Sequence, residues 1–83
     1  MERKQNTKTE SELFGAHLRF LRTSKTDFSQ SQIAKILIID RSTYTNYELG
    51  KIQPDIRTLK ALAKLYNISV DTLLDYESNE YIQ

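Results

Sequence analysis

Cysteine and tryptophan are missing from this chain of 83 residues, and histidine and proline occur once each. Without cysteine there is neither a disulfide framework nor a thiolate zinc site, and a lone histidine rules out an imidazole-rich metal centre, so no cofactor is expected. Long apolar runs are missing too. The longest, Ile36-Leu37-Ile38-Ile39, is far too short to span a bilayer, and the stretch Met1 to Glu10 is polar throughout, unlike a secretory signal. An intracellular, cytoplasmic protein without a membrane role is expected. No nucleophile, base and orienting group stand at a recognisable spacing, which disfavours an enzyme.

What remains is enough for one small domain, whose core must be compact and built from short elements. A net charge of +1 says little about partners. Its distribution says slightly more: residues 12 to 53 carry six Lys or Arg against four Asp or Glu, and residues 54 to 83 carry three against five. A mildly basic middle and an acidic end result, a weak asymmetry that also arises by chance.

The apolar spacing predicts five helices and no convincing strand. The first covers about residues 11 to 24, with Phe14, Leu18 and Leu21 on one face, Leu13, His17 and Phe20 on the adjacent row, and Ser11 or Thr9 as its cap. The second opens on the Ser-x-x-Gln capping box Ser29-Gln30-Ser31-Gln32, buries Ile33, Ala34 and Leu37, and ends near Leu37 or Ile38. A third follows Asp40 and runs to about Leu49, where Gly50 supplies a left-handed terminus and Pro54 blocks continuation. The fourth starts after Asp55, places Ile56, Leu59, Leu62, Ala63 and Tyr66 on one face, and stops at Asn67. The fifth begins at Ser69 and turns Leu73 and Leu74 inward, and residues 76 to 83 carry no clear pattern.

Two helices separated by so few residues cannot pack as an antiparallel hairpin, so the segment from 30 to 49 reads as a helix-turn-helix with a projecting second helix. On that helix Tyr44 and Tyr47 face the core with part of Glu48, leaving Arg41, Ser42, Thr43, Thr45 and Asn46 outside. A narrow polar helix of this kind fits the DNA major groove, where Arg pairs bidentately with guanine and Asn with adenine.

From Phe14 to Asp75 the chain resembles the Cro and phage-repressor-like (XRE) helix-turn-helix family. The resemblance is carried by Gly15, Leu18-Arg19, Leu21-Arg22, Ser29-Gln30, Ile33-Ala34, Leu37, Arg41-Ser42-Thr43, Tyr47-Glu48, Gly50-Lys51, Pro54, Leu59, Leu62-Ala63 and Ile68-Ser69-Val70-Asp71. It implies an all-α, lambda-repressor-like domain of five helices over residues 11–75, between a flexible polar tail at 1–10 and a C-terminal tail at 76–83 that is a candidate interface. It further implies that Arg41, Ser42 and Asn46 meet base edges, that Gln30, Gln32, Thr43, Thr45 and Lys51 contact phosphates, and that Arg22 and Glu48 form a partly buried pair tying the first helix to the third. The expected protein is a sequence-specific double-stranded DNA-binding transcriptional regulator acting as a homodimer on an operator, a repressor or controller. The alternative is an antitoxin-type module that neutralises a protein partner.

Three features depart from the family pattern. Ile38 stands where the turn between the second and third helices usually has glycine, and a β-branched residue at positive φ is strained. The loop Thr23 to Asp27 is one residue longer than is usual in the family and lacks the expected glycine, so Asp27 is expected in the left-handed position. Ile52 and Gln53 replace basic residues, which weakens phosphate binding. Elsewhere, His17 reads as a surface or boundary histidine, Tyr44, Tyr47 and Tyr66 as core, and Tyr76, Tyr81 and Ile82 as a frayed end or a docking strip for a second subunit.

Overall fold

In a computed structural model, residues 8–76 are described, and the expectations for Tyr81 and Ile82 fall outside them. Five helices follow in order: α1 (Glu10–Lys25), α2 (Gln30–Leu37), α3 (Arg41–Leu49), α4 (Ile56–Tyr66) and α5 (Val70–Leu73), with no strand among the described residues. The expected all-α, five-helix architecture is therefore the observed one.

Each helix begins where a short polar side chain takes over orphan backbone donors. Thr9 and Glu12 form a reciprocal capping box on α1, and Ser29 and Gln32 do the same on α2. Asp55 and Ser69 accept from Thr58 and Thr72 at the starts of α4 and α5. Asp40 is the exception: it stands in the cap position of α3, but its side chain makes no capping bond.

Three helices end in the left-handed conformation, at Ile38 (φ 61°), Gly50 (φ 78°) and Asn67 (φ 56°). The first and third are near copies in sequence as well as geometry: Ala34-Lys35-Ile36-Leu37-Ile38-Ile39 and Ala63-Lys64-Leu65-Tyr66-Asn67-Ile68. In each, the left-handed residue's N–H reaches back to the Lys carbonyl, and the following Ile N–H donates to the Ala carbonyl at 3.0 Å. Ile38 thus keeps the turn that glycine would make, at the strain cost of a β-branched residue. It gains no packing in return, being 81% exposed.

The loop after α1 closes differently from the sequence expectation. Asp27 is not left-handed. Thr26 takes an extended conformation (φ −143°), its hydroxyl donates to the Arg22 carbonyl at 2.8 Å, and the Phe28 N–H donates back to that hydroxyl at 3.0 Å. A threonine side chain ends this helix, so no residue at positive φ is needed.

The core collects Phe14, Leu18 and Leu21 from α1, Ile33, Ala34 and Leu37 from α2, Tyr44 and Tyr47 from α3, Leu62, Ala63 and Tyr66 from α4, and Leu73 from α5. Every helix contributes, and a buried Leu or Ile is worth about 1.5–3 kcal/mol of transfer free energy. Two expected inward residues are exposed: Ile56 at 75%, and Leu74, the C-cap residue of α5, at 43%. Thr58, two positions on, is buried in place of Ile56, so the apolar stripe of α4 starts a half-turn later than the sequence spacing implied. His17 is a third correction: it is 4% exposed, because α5 folds across the face of α1 that carries it.

α1 and α3 come closest. A Cβ on Gly15 would overlap the Glu48 carbonyl oxygen and lie 2.5 Å from that of Tyr47, and one on Gly50 would lie 2.5 Å from Glu12 Cα. Both glycines of the chain sit on this one seam, where two backbones meet without side chains between them. Beside the same stretch of α1, the Tyr76 ring packs edge-on against Phe14 with centroids 6.1 Å apart.

Candidate nucleic-acid interface

α2, the turn at Ile38 and α3 form a helix-turn-helix whose second helix is bolted to the domain along one side only. That side is Tyr44, Tyr47 and Glu48, at the three- and four-residue intervals that share a helix face. Arg41 and Ser42 stand exposed at its start, and Thr43, Thr45 and Asn46 are half-buried. Ser42 and Asn46 lie away from the anchored side, and Arg41, three residues before Tyr44, shares its row but is exposed at the open first turn, so the three base-reading candidates are carried on the first two turns of a single helix.

The anchor is a polar network centred on Glu48. Its Oε2 accepts from Arg22 Nε at 2.8 Å and from the Tyr44 hydroxyl at 2.6 Å, and its Oε1 accepts from Gln30 Nε2 at 2.9 Å and from Arg22 Nη2 at 3.2 Å. Four donors fill the roughly four acceptor sites that a carboxylate offers. The Glu48 side chain is 3% exposed and that of Arg22 14%, so the pair expected to tie α1 to α3 is present and largely withdrawn from water. Arg22 also donates to the Phe28 carbonyl at 3.2 Å, which brings the loop before α2 into the same knot.

These contacts set the charge states. Burial pushes the Glu48 carboxyl up, but hydrogen bonds from Arg22, Tyr44 and Gln30 outweigh it and hold the group below the usual glutamate range. The bond to Glu48 raises Arg22 further against its own burial, and burial together with that carboxylate keeps the Tyr44 phenol protonated far above its ordinary value. At neutral pH the network is a carboxylate, a guanidinium and neutral donors.

The expected phosphate-facing residues are less uniform. Gln32 spends its Oε1 on the Ser29 N–H as part of the α2 cap. Gln30 is engaged at both ends of its amide, since Thr45 Oγ1 donates to its Oε1 at 2.9 Å while its Nε2 holds Glu48. Lys51 is exposed just after Gly50, with its backbone N–H on the Asn46 carbonyl at 2.9 Å. Gln53 Nε2 donates to Ser11 Oγ at 2.8 Å, so this replacement of a basic residue ties the α3–α4 connection to the start of α1. The Tyr44 to Glu48 bond was legible as an i, i+4 pair on a helix. The Gln30 bridge joins two helices, and no sequence spacing announces it.

The comparisons agree with this geometry. Residues 18–73 match the sequence profile of a helix-turn-helix family, so the chain belongs to that family, of XRE type. A prophage-derived, uncharacterized HTH-type transcriptional regulator of Bacillus subtilis, YonR, is 44% identical over 62 residues, which is 75% of this chain and 56% of that protein. A second B. subtilis HTH-type regulator, YqaE, is 39% identical over 70 residues, 84% of this chain and 60% of the relative. The cryptic-phage transcriptional repressor RstR of Vibrio cholerae is 32% identical over 68 residues, 81% of this chain and 60% of RstR. The chain thus spans less than two thirds of the length of each. Among the described residues no helix is long and apolar enough to cross a membrane.

Proposed function

We propose that the protein binds double-stranded DNA sequence-specifically and regulates transcription, with α3 in the major groove. The observation that carries this reading is that α3 is anchored through Tyr44, Tyr47 and Glu48 while its first two residues, Arg41 and Ser42, stand exposed at the helix start. In this docking geometry the N-terminal residues of the second helix meet base edges. Arg41 pairs with guanine, Asn46 with adenine, and Ser42 with either strand's edge groups, while Gln30, Gln32, Thr43 and Lys51 lie toward the flanking phosphates. Relatives named as regulators and as a repressor support the class of function. No residue in this scheme does covalent chemistry; the output is occupancy of a site in the cytoplasm.

One domain offers one recognition helix, and a two-fold site needs two about 34 Å apart. We place a homodimer on such a site. Exposed Leu74 and Ile56, apolar groups left unused by the core, support an interface on the α4–α5 side. Selection of bound sequences from random duplex DNA tests the whole reading: recovery of two inverted half-sites one helical turn apart supports it, and recovery of no preferred sequence overturns it.

A further inference from the structure

The amide of Gln30 lies between Glu48 and Thr45, and its orientation is fixed by chemistry. Glu48 is a carboxylate held in its charged form, which accepts and cannot donate, so the Gln30 end that faces it at 2.9 Å is the NH2 group. Oε1 then faces Thr45 and accepts from its hydroxyl at 2.9 Å. A hydroxyl has one hydrogen, and Thr45 spends it here. Phosphate oxygens only accept. Thr45 therefore cannot donate to a phosphate while it holds Gln30, whereas Gln30 retains one Nε2 hydrogen beyond the one given to Glu48.

We infer that Thr45 is a positioning residue: its hydroxyl and the Glu48 carboxylate together clamp the Gln30 amide so that the remaining Nε2 hydrogen is presented to a DNA phosphate beside the start of α2. The inference rests on the DNA-binding reading above and deepens it. Gln30 is the first residue of α2, half-buried, at the end of the helix whose dipole favours an anion. A glutamine gripped at both ends has given up its rotamer freedom before DNA arrives, so the phosphate bond is made without that ordering cost. The clamp also routes the Arg22–Glu48 knot to the DNA surface, since the same Oε1 of Glu48 receives both Arg22 and Gln30.

A phosphate contact is independent of sequence, so the test uses a mixed-sequence duplex of about 30 base pairs, longer than the one-turn half-site spacing. Thr45→Val keeps the shape and removes the donor. It lowers affinity about fivefold, the scale of one neutral hydrogen bond, and Thr45→Ser restores it. Gln30→Ala lowers affinity to a similar extent, and adding Thr45→Val to it changes nothing further. The salt dependence stays at the wild-type slope in all three, because an amide releases no counterion. Melting curves establish that each variant is folded, and Thr45→Ala repeats the comparison with a side chain too small to clash. Additive losses in the double variant, or wild-type affinity in both Thr45→Val and Thr45→Ala, overturn the positioning role while leaving DNA binding intact. Failure of the wild-type protein to bind the duplex overturns the DNA-binding reading and this inference together.

Discussion

Gly15 of α1 and Glu48 of α3 meet backbone to backbone, with no room for even a methyl group between them. In an isolated helix Gly15→Ala is favourable by about 1 kcal/mol. Here the new Cβ has to displace backbone carbonyls of the neighbouring helix, which are not free to rotate away like the tip of a long side chain. Overpacking of this kind costs about 1–3 kcal/mol and more when the obstacle is rigid. Gly15→Ala is expected to destabilise the domain, with a lower urea midpoint at an unchanged slope; a stabilised variant would mean that α1 and α3 separate at little cost.

Acid should weaken the fold in two steps. Burial lowers the pKa of His17, partly offset by the Asp75 charge and the bond with the Thr72 backbone, so the unfolded chain takes up the proton first. Stability is therefore complete above the ordinary histidine value of 6.5 and declines as pH falls from there toward the lowered folded value. Glu48 has a depressed carboxyl pKa, so its contribution is present above the ordinary 4.5 and is lost as pH falls through the folded value below it. Because the chain has one histidine, His17→Leu should flatten the upper step and leave the lower one. Urea midpoints across about pH 2 to 8, from below the ordinary carboxylate value to above the ordinary histidine value, check both; a decline near pH 6 that survives His17→Leu would assign it elsewhere.

Ile38 and Asn67 occupy the same left-handed cap with φ values of 61° and 56°. Asparagine tolerates this conformation and isoleucine does not, with a penalty of about 1–2 kcal/mol. Because Ile38 is almost wholly exposed, replacing it sacrifices little packing. Ile38→Asn should raise stability by about 1 kcal/mol, or roughly 4–8 °C in Tm for a domain of this size, and Ile38→Gly by less because of glycine's unfolded-state entropy. The reverse exchange, Asn67→Ile, should lower Tm. A fall in Tm for both Ile38 variants would show that the side chain is held by apolar neighbours after all.

Arg41 and Lys51 should fail in different ways. Loss of a bidentate arginine costs roughly 1–3 kcal/mol of discrimination at one base pair, so Arg41→Ala should flatten preference there in each half-site. Lys51→Ala should weaken all duplexes alike and reduce the salt slope by about 0.9 for each phosphate that the protein no longer neutralises. Competition against single-base operator variants at two salt concentrations separates the two. An unchanged preference profile for Arg41→Ala would remove this residue from base reading.

The helices and most of their caps were legible because they are local: Ser29 with Gln32, Asp55, Gly50 and Asn67 announce their roles within a few residues. What escaped was set by partners far along the chain or by an unexpected side chain nearby. Asp27 was assigned a left-handed turn because glycine was missing, but Thr26 satisfies the Arg22 carbonyl through its side chain. His17 looked like a boundary residue until α5 covered it. Ile56 satisfied the apolar spacing of α4 and still faces solvent, since periodicity gives a stripe and not the point where the neighbouring helix begins to cover it. In the candidate interface the exposed face of α3 could be read from spacing, whereas the bond between Gln30 and Glu48 depends on how two helices cross.

The saturation of Glu48 also changes how this edge of the protein looks to a polyanion. A carboxylate lying one layer below a DNA-facing surface would ordinarily repel the phosphates outside it. Here its charge is answered at 2.8 Å by Arg22, and the two together act at a distance as a small dipole. The field from Ser29 to Lys51 is then governed by exposed Lys35, Arg41 and Lys51 against Asp40. A protein of nearly zero net charge thereby turns one locally positive edge outward, and that edge is the one that carries α3.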